Sequence, residues 1–352
     1  MSSNHATETL TGLLSYYSPS GQEQAAVNFL VDHMRRLGYT QAYIDEAGNA
    51  VGILGKGPQQ IMLLGHIDTV RGDIPLRIDG DLLYGRGSVD AKGPLAAFVE
   101  AAIFAGEREG WQFIIIGAVG EEQESVGARF IANRYQPDYA IIGEPSHWDR
   151  LTIAYKGSAW AQINTHRPVA HTAAGQESAC EAIFSVWQKI QTWTEGYNQG
   201  CKQAFDRILL TMNAFSSDSN GFEEWAGAQV GARLPPALPP DLWYDQLTQI
   251  IQPLQAKLKP LGFPMPAYRC QKNTALVRAF LAAIRAAGGK PGFTSKTGSS
   301  DLNIVAPLWN CPTIAYGPGD STLDHTPNEH ISLAEYGRGV RVLQTVLERL
   351  AT

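Results

Sequence analysis

Residues 61–69 read IMLLGHIDT, and residues 85–98 read GRGSVDAKGPLAAF. The first is an apolar run that ends in His66 and Asp68, two positions apart. A short continuous run of this kind fits a strand buried on both faces. Polar groups delivered at its end are a means of building a site. The second stretch carries Asp90 and passes straight into a helical pattern, KGPLAAFVEAAIFAG. Strand, turn and helix in that order are the beginning of an α/β unit.

The same texture extends in both directions. Before it, ETLTGLLSYYS and EQAAVNFLVDHMRRLG show helical spacing, the second closing on Gly38 as a C-cap, and QAYIDEAGNAVGILGKG reads as two strands about a turn. After it come a buried strand, WQFIIIGAVGEEQE, a helix, GARFIANRY, and a short strand, PDYAIIGEPS. From residue 151 the pattern changes to the long alternating stretch RLTIAYKGSAWAQINTH, the helix ESACEAIFSVWQKIQTW, the strand AQVGARLPP and the helix PDLWYDQLTQIIQPLQAKL. Beyond residue 270 the α/β texture returns: a helix in TALVRAFLAAIRAAGG, a loop FTSKTGSSDLNIVAP, a strand CPTIAYG and the helix LAEYGRGVRVLQTVLERL. The expected architecture is α/β, with a mainly parallel sheet flanked by helices. Residues 1–150 and 271–352 form one domain, split by an inserted α+β domain at 151–270.

With 352 residues the chain is long enough for about two domains of roughly 150 residues each. The net charge of −6 gives no basic domain for nucleic acid. No apolar stretch approaches the roughly 18 residues of a membrane span, and the N-terminus lacks the pattern of a signal peptide. Cys180, Cys201, Cys270 and Cys311 form no C-x-x-C pair. They are expected to be reduced and mostly buried in a cytoplasmic protein.

Candidate site residues fall at the C-terminal ends of the expected strands, where open α/β sheets place their ligand crevice. They are His66 and Asp68, Glu121 and Glu122, Glu144 in YAIIGEP, and His325 in GPGDSTLDHTPNEH, with Asp90 just ahead of a helix. Each has an ordinary alternative. An H-x-D pair can be a structural hydrogen bond, and a Glu-Glu pair a solvated helix start. Their joint occurrence at successive strand ends favours a site. Imidazoles and carboxylates without thiolate suit zinc, with cobalt or manganese as substitutes. The set is too large for one tetrahedral ion and fits two ions sharing a carboxylate. Asp68 is placed to orient His66. Of Glu121 and Glu122, one can bind metal while the other takes a proton from water.

The segments GHIDTV, LYGRGSVDAKGPLAAF, GEEQESVGARF, IIGEPS and GPGDSTLDHTPNEHI together resemble the di-zinc aminoacylase and carboxypeptidase family, which includes acetylornithine deacetylase, succinyl-diaminopimelate desuccinylase and glutamate carboxypeptidase. The resemblance covers nearly the whole chain. It implies His66, Glu122, Glu144 and His325 as terminal ligands of two zinc ions, Asp90 as the bridge, Asp68 as the orienting group and Glu121 as general base. It also implies a cis peptide at Asp90–Ala91. The inserted domain would be a lid that carries a homodimer interface. In it RPVAHTAAG resembles the segment whose histidine, here His171, stabilises the oxyanion, often in the partner's site. GARLPP resembles the segment whose arginine, here Arg233, holds the substrate carboxylate. Lys296 and Asn303 in SKTGSSDLN are further substrate contacts by the same resemblance. His5 is read as part of a tail, and His33, His147, His166 and His330 as structural or solvated.

Residues 65–98 are most similar to the lysine-biosynthesis branch of this family. That branch hydrolyses the amide between lysine or ornithine and the terminal glutamate of a small acidic amino-group carrier protein. The expected partner is that carrier, with Arg71, Arg77, Arg129, Arg150, Lys156 and Arg167 as candidates for a basic rim. The runners-up are an acetylornithine or acetyl-lysine deacetylase acting on free small molecules, and a metallo-dipeptidase. A non-catalytic binding protein is disfavoured because Glu121 is present beside every ligand.

Overall fold

The computed structural model describes residues 7–352; His5 lies outside them. The chain forms two compact units. One runs to Ile153 and takes in Cys270–Ser295 and Ser300–Thr352; the other comprises Ala154–Arg269 with Lys296–Ser299.

The first unit is built on a sheet in which Gln41–Ile44, Ala50–Leu54, Trp111–Ala118, Gln59–His66, Tyr139–Gly143, Thr313–Ala315 and Arg150–Tyr155 lie side by side in that order. The four central strands are parallel, and the outer pairings are antiparallel. Gln59–His66 and Trp111–Ala118 are buried almost end to end, as strands covered by helices on both faces must be. The helix Lys92–Ala105 is apolar apart from Lys92 and Glu100 and is buried along nearly its whole length. It packs against the C-terminal helix Leu333–Leu350 and the short helix Glu8–Leu14. A row of glycines lets it lie close on the sheet. Gly65 pairs with Gly117 and Gly143. A Cβ on Gly143 would come within 2.8 Å of the Phe98 ring, and one on Gly65 within 3.2 Å of Leu95 Cβ. This close approach brings the start of the helix, and Asp90 before it, beside the strand ends.

The second unit is a four-stranded antiparallel sheet in the order Leu209–Ser219, Glu223–Leu234, Gly157–Pro168, Lys257–Met265. The helices Ala179–Gln199 and Pro240–Ile251 cover it, around a core that includes Ile163, Ile183, Val186, Val230, Trp243 and Leu247. Ser178 and Glu181 form a reciprocal capping box that starts the first helix.

The structure departs from the sequence expectations in several places. The stretch 150–166 is two strands, Arg150–Tyr155 and Gly157–Pro168, in different sheets. Alternation alone does not reveal a change of sheet at Lys156. The expected loop at 293–307 contains a strand, Gly292–Lys296, and a helix, Leu302–Trp309, with Pro307 inside it. Leu209–Ser219 is exposed along nearly its whole length, so it lacks the apolar pattern that marks a strand. The four cysteines are free, but of them Cys270 alone is buried. Among the described residues no helix is long and apolar enough to cross a membrane.

Candidate active site

The parallel strands end in register, His66 opposite Ala118 and Gly65 opposite Gly143. The residues that follow each strand therefore emerge at one edge: Ile67 and Asp68 from one, Val119 to Glu122 from the next, Glu144 from the third. The Tyr316–His325 segment follows the fourth. Glu144 is buried. Its loop is laced to the next one by Ser146 N–H and His147 N–H, which donate to Gly317 O and Gly319 O at 2.9 Å each.

Asp90 sits at the centre. Its Oδ1 lies 3.1 Å from His66 Nε2 and its Oδ2 lies 3.0 Å from His325 Nε2, so each oxygen faces one imidazole. Glu122 Oε1 is 3.1 Å from the same nitrogen of His325. Donor atoms of His66, Asp90 and Glu122 lie within 4.8 Å of one another. The Asp90–Ala91 peptide is cis. Against the effect of burial, the two imidazoles hold the Asp90 carboxyl well below the usual carboxylate range. Burial opposes charge on His66 as well, yet its hydrogen bonds with Asp68 and Asp90 hold its pKa well above the usual value. Hydrogen bonds to Asp90 and Glu122 push His325 up to about 10. Converging carboxylates of this kind demand positive charge between them. Two imidazole nitrogens and several carboxylates, with no thiolate, form a donor set that fits divalent cations of the zinc type.

Asp68 is fully buried and accepts three hydrogen bonds: from Glu121 N–H at 3.0 Å, Glu122 N–H at 3.1 Å and Ser20 Oγ at 2.7 Å. His66 Nδ1 is 3.0 Å from the Asp68 main-chain oxygen and 3.5 Å from its carboxylate. The backbone is thus the nearer acceptor, and the carboxylate mainly holds the Glu121–Glu122 turn. Burial, opposed by His66 and reinforced by Asp301, Glu144 and Glu122, raises the Glu121 carboxyl well above its usual pKa.

Glu329 was not singled out from the sequence. It is fully buried and accepts Val89 N–H at 2.9 Å and Asp90 N–H at 3.0 Å. It also pairs with Arg86 at 2.8 Å, and Arg86 Nε donates to Gly72 O. Glu329 and Arg86 therefore fix the turn that presents Asp90. The signal available was weak: an acid and an arginine inside quoted motifs, with nothing to pair them.

Within the second unit, His171 is exposed on a turn, its Nδ1 accepting Ala173 N–H at 3.1 Å. With Gly175, Glu177 and Glu224 it lines a surface recess. Arg233 donates to Ser299 Oγ at 2.8 Å, and Lys296 lies in the same short segment as Ser299. Asn303 belongs to the first unit, where it is buried and accepts Ser300 N–H at 2.9 Å, closing the turn before its helix. Of the expected basic rim, Lys156 is fully buried, its ammonium donating to Phe205 O and Arg207 O; it cannot form part of a surface. Arg150 and Arg167 are tied to neighbouring acids and carbonyls.

Beyond its parallel strand ends the α/β sheet thus gathers imidazoles and carboxylates that could hold divalent ions. Residues 62–349 match the model of the peptidase family M20/M25/M40, and the chain belongs to that family of hydrolases. It is 46% identical over 353 residues to the LysW-lysine hydrolase of Deinococcus radiodurans, covering 98% of this chain and 97% of that one. It is 30% identical over 353 residues to the LysW-lysine/LysW-ornithine hydrolase of Saccharolobus solfataricus, covering 98% and 96%. Its fold matches aminopeptidase PepT of Bacillus cereus with a TM-score of 0.79 at 17% identity, over the whole of both chains. It also matches an M20 family metallo-carboxypeptidase of Sulfolobus solfataricus, with a TM-score of 0.78 at 17% identity, over 98% of this chain and 99% of that one.

Proposed function

We propose that this hydrolase releases lysine or ornithine from the terminal glutamate of a small acidic amino-group carrier protein, in cytoplasmic lysine or arginine biosynthesis. The observation that carries the substrate is the similarity, along essentially the whole length, to the Deinococcus relative. The convergence of His66, Asp90, Glu122 and His325 supports the chemistry.

His66, Asp90 and Glu144 would hold one divalent ion, and Asp90, Glu122 and His325 the other, with zinc expected and cobalt or manganese able to substitute. When bound, such ions would polarise the scissile carbonyl and make the attacking water more acidic. Glu121 takes the proton of that water and passes it to the leaving amine. Its half-buried setting near other carboxylates suits a group that must accept and then release a proton. Asp68 holds the turn that carries Glu121 and Glu122. Arg233, held by Ser299, and Lys296 grip the free α-carboxylate of the lysine end.

His171 stabilises the oxyanion in the active site of a partner subunit. The second unit offers a surface for such a dimer. Leu209–Ser219 is an edge strand exposed along nearly its whole length, and its exposed Phe215 pairs with exposed Phe184 at 5.6 Å between ring centroids. Edges and apolar patches of this kind are usually covered.

Carrier-linked lysine and Nα-acetyl-lysine, assayed side by side, test the substrate. The catalytic efficiency on the carrier-linked form should be the higher and should fall more steeply with salt, since charge attraction is screened over ~8–10 Å. Equal efficiencies with equal salt dependence would leave a deacetylase of free amino acids.

A further inference from the structure

The segment Ser15–Gly21 lies between the helices Glu8–Leu14 and Gln24–Leu37 and contributes no expected ligand, yet it is tied to the site along its length. Ser18 Oγ donates to Ile67 O at 2.8 Å, and Ser18 O accepts Thr69 N–H at 2.9 Å. Ser20 N–H donates to Thr69 O at 3.2 Å, and Pro19 pairs with Thr69 as a parallel bridge. The other flank is anchored too. The buried Lys92 ammonium donates to Tyr16 O at 2.6 Å and Leu13 O at 3.3 Å, and Gly72 N–H donates to Tyr17 Oη at 2.9 Å. The chain before the first long helix thus runs as an extra strand-like brace along 67–69.

At its end Ser20 Oγ donates to Asp68 Oδ2 at 2.7 Å. Asp68 is fully buried, and a buried carboxylate keeps one orientation only while its oxygens are satisfied. Without Ser20, the carboxylate keeps the N–H of Glu121 on Oδ1 at 3.0 Å and that of Glu122 on Oδ2 at 3.1 Å, but loses the shortest of its three hydrogen bonds. With its tie to the brace gone, the carboxylate is held chiefly by the Glu121–Glu122 turn that it positions.

We infer that Ser20 is a positioning residue for the metal site, setting the Asp68 carboxylate and through it Glu121 and Glu122. This rests on the reading of these groups as a metal centre. Partners one step behind a metal ligand typically alter affinity by ~10–100-fold. Ser20 stands one step further back, so the expected loss lies at the lower end, about tenfold.

The test is a titration of the metal-free, full-length protein with Zn²⁺ or Co²⁺ against a chelating dye, with thermal midpoints of the metal-free forms recorded. Ser20→Ala should bind about tenfold more weakly, with a metal-free midpoint close to the wild type. Ser20→Thr, which keeps the hydroxyl, should restore affinity. Ser18→Ala removes a hydrogen bond of the same brace without touching Asp68 and should leave affinity unchanged. Wild-type affinity in Ser20→Ala, or equal losses in Ser18→Ala and Ser20→Ala, would overturn the inference while leaving the metal centre intact. A wild-type chain that binds no divalent ion would overturn both.

Discussion

Arg36, His33, Thr9 and Glu100 form a chain of hydrogen bonds inside the first unit. Arg36 Nη2 lies 3.3 Å from His33 Nδ1, His33 Nε2 lies 2.9 Å from Thr9 Oγ1, and Thr9 Oγ1 donates to Glu100 Oε1. A guanidinium can only donate, so Nδ1 must accept and Nε2 must carry the proton. Protonating the ring would set a second donor against Arg36. Burial, and then the Arg36 charge, lower the His33 pKa below its usual 6.5. The stability due to the neutral ring is therefore fully present above pH 6.5 and is lost as pH falls through the lower folded-state value. The thermal midpoint should fall between pH 7 and pH 5, with a shallower slope in His33→Gln; identical slopes would remove His33 from that role. The sequence allowed His33, on a helix, to be read only as structural or solvated. It could not disclose Ser20 or Glu329, whose roles arise from single hydrogen bonds to residues distant in sequence. The ligand candidates were legible for the opposite reason: each ends an apolar run, and strand ends converge by topology.

The central strands and the helix Lys92–Ala105 were legible because continuous burial leaves an unbroken apolar signal. What was not legible has partly exposed or irregular backbones: the Leu209–Ser219 edge, the short hairpin Arg77–Asp79 with Leu82–Tyr84, and a helix that contains Pro307. The glycines of the sheet show how one residue type serves opposite ends. Gly143→Ala places a methyl 2.8 Å from Phe98 and 3.2 Å from Gly65 Cα. It should cost about 1–3 kcal/mol through overpacking. Gly196, inside the helix Ala179–Gln199, has open space where a Cβ would stand. There the same change should add roughly 0.5–1 kcal/mol. Urea denaturation of the two variants checks the pair. A Gly143→Ala protein as stable as the wild type would mean that the helix can be set back without loss.

For the assembled protein the proposal places catalysis on two subunits at once, Glu121 from one and His171 from its partner. Glu121→Gln and His171→Ala proteins should each be nearly inactive, the first by ~10²–10⁴-fold, as for loss of a general base. After subunit exchange, mixed dimers contain one site with both groups intact, and part of the activity should return. Exchanged mixtures that stay inactive would place His171 in its own subunit's site or outside catalysis. The sheet of the first unit has one more consequence. Thr313–Ala315 is inserted between Tyr139–Gly143 and Arg150–Tyr155, yet the ribosome makes it after the whole second unit. At ~5–20 residues per second, that slot stays open for roughly ten to thirty seconds of translation. Throughout that time the nascent chain shows two bare apolar strand edges and most of a cation site without His325. Such edges invite pairing with other chains, so this is the interval in which a chaperone has most to do, and a message truncated after the second unit yields a sticky product rather than a weaker enzyme.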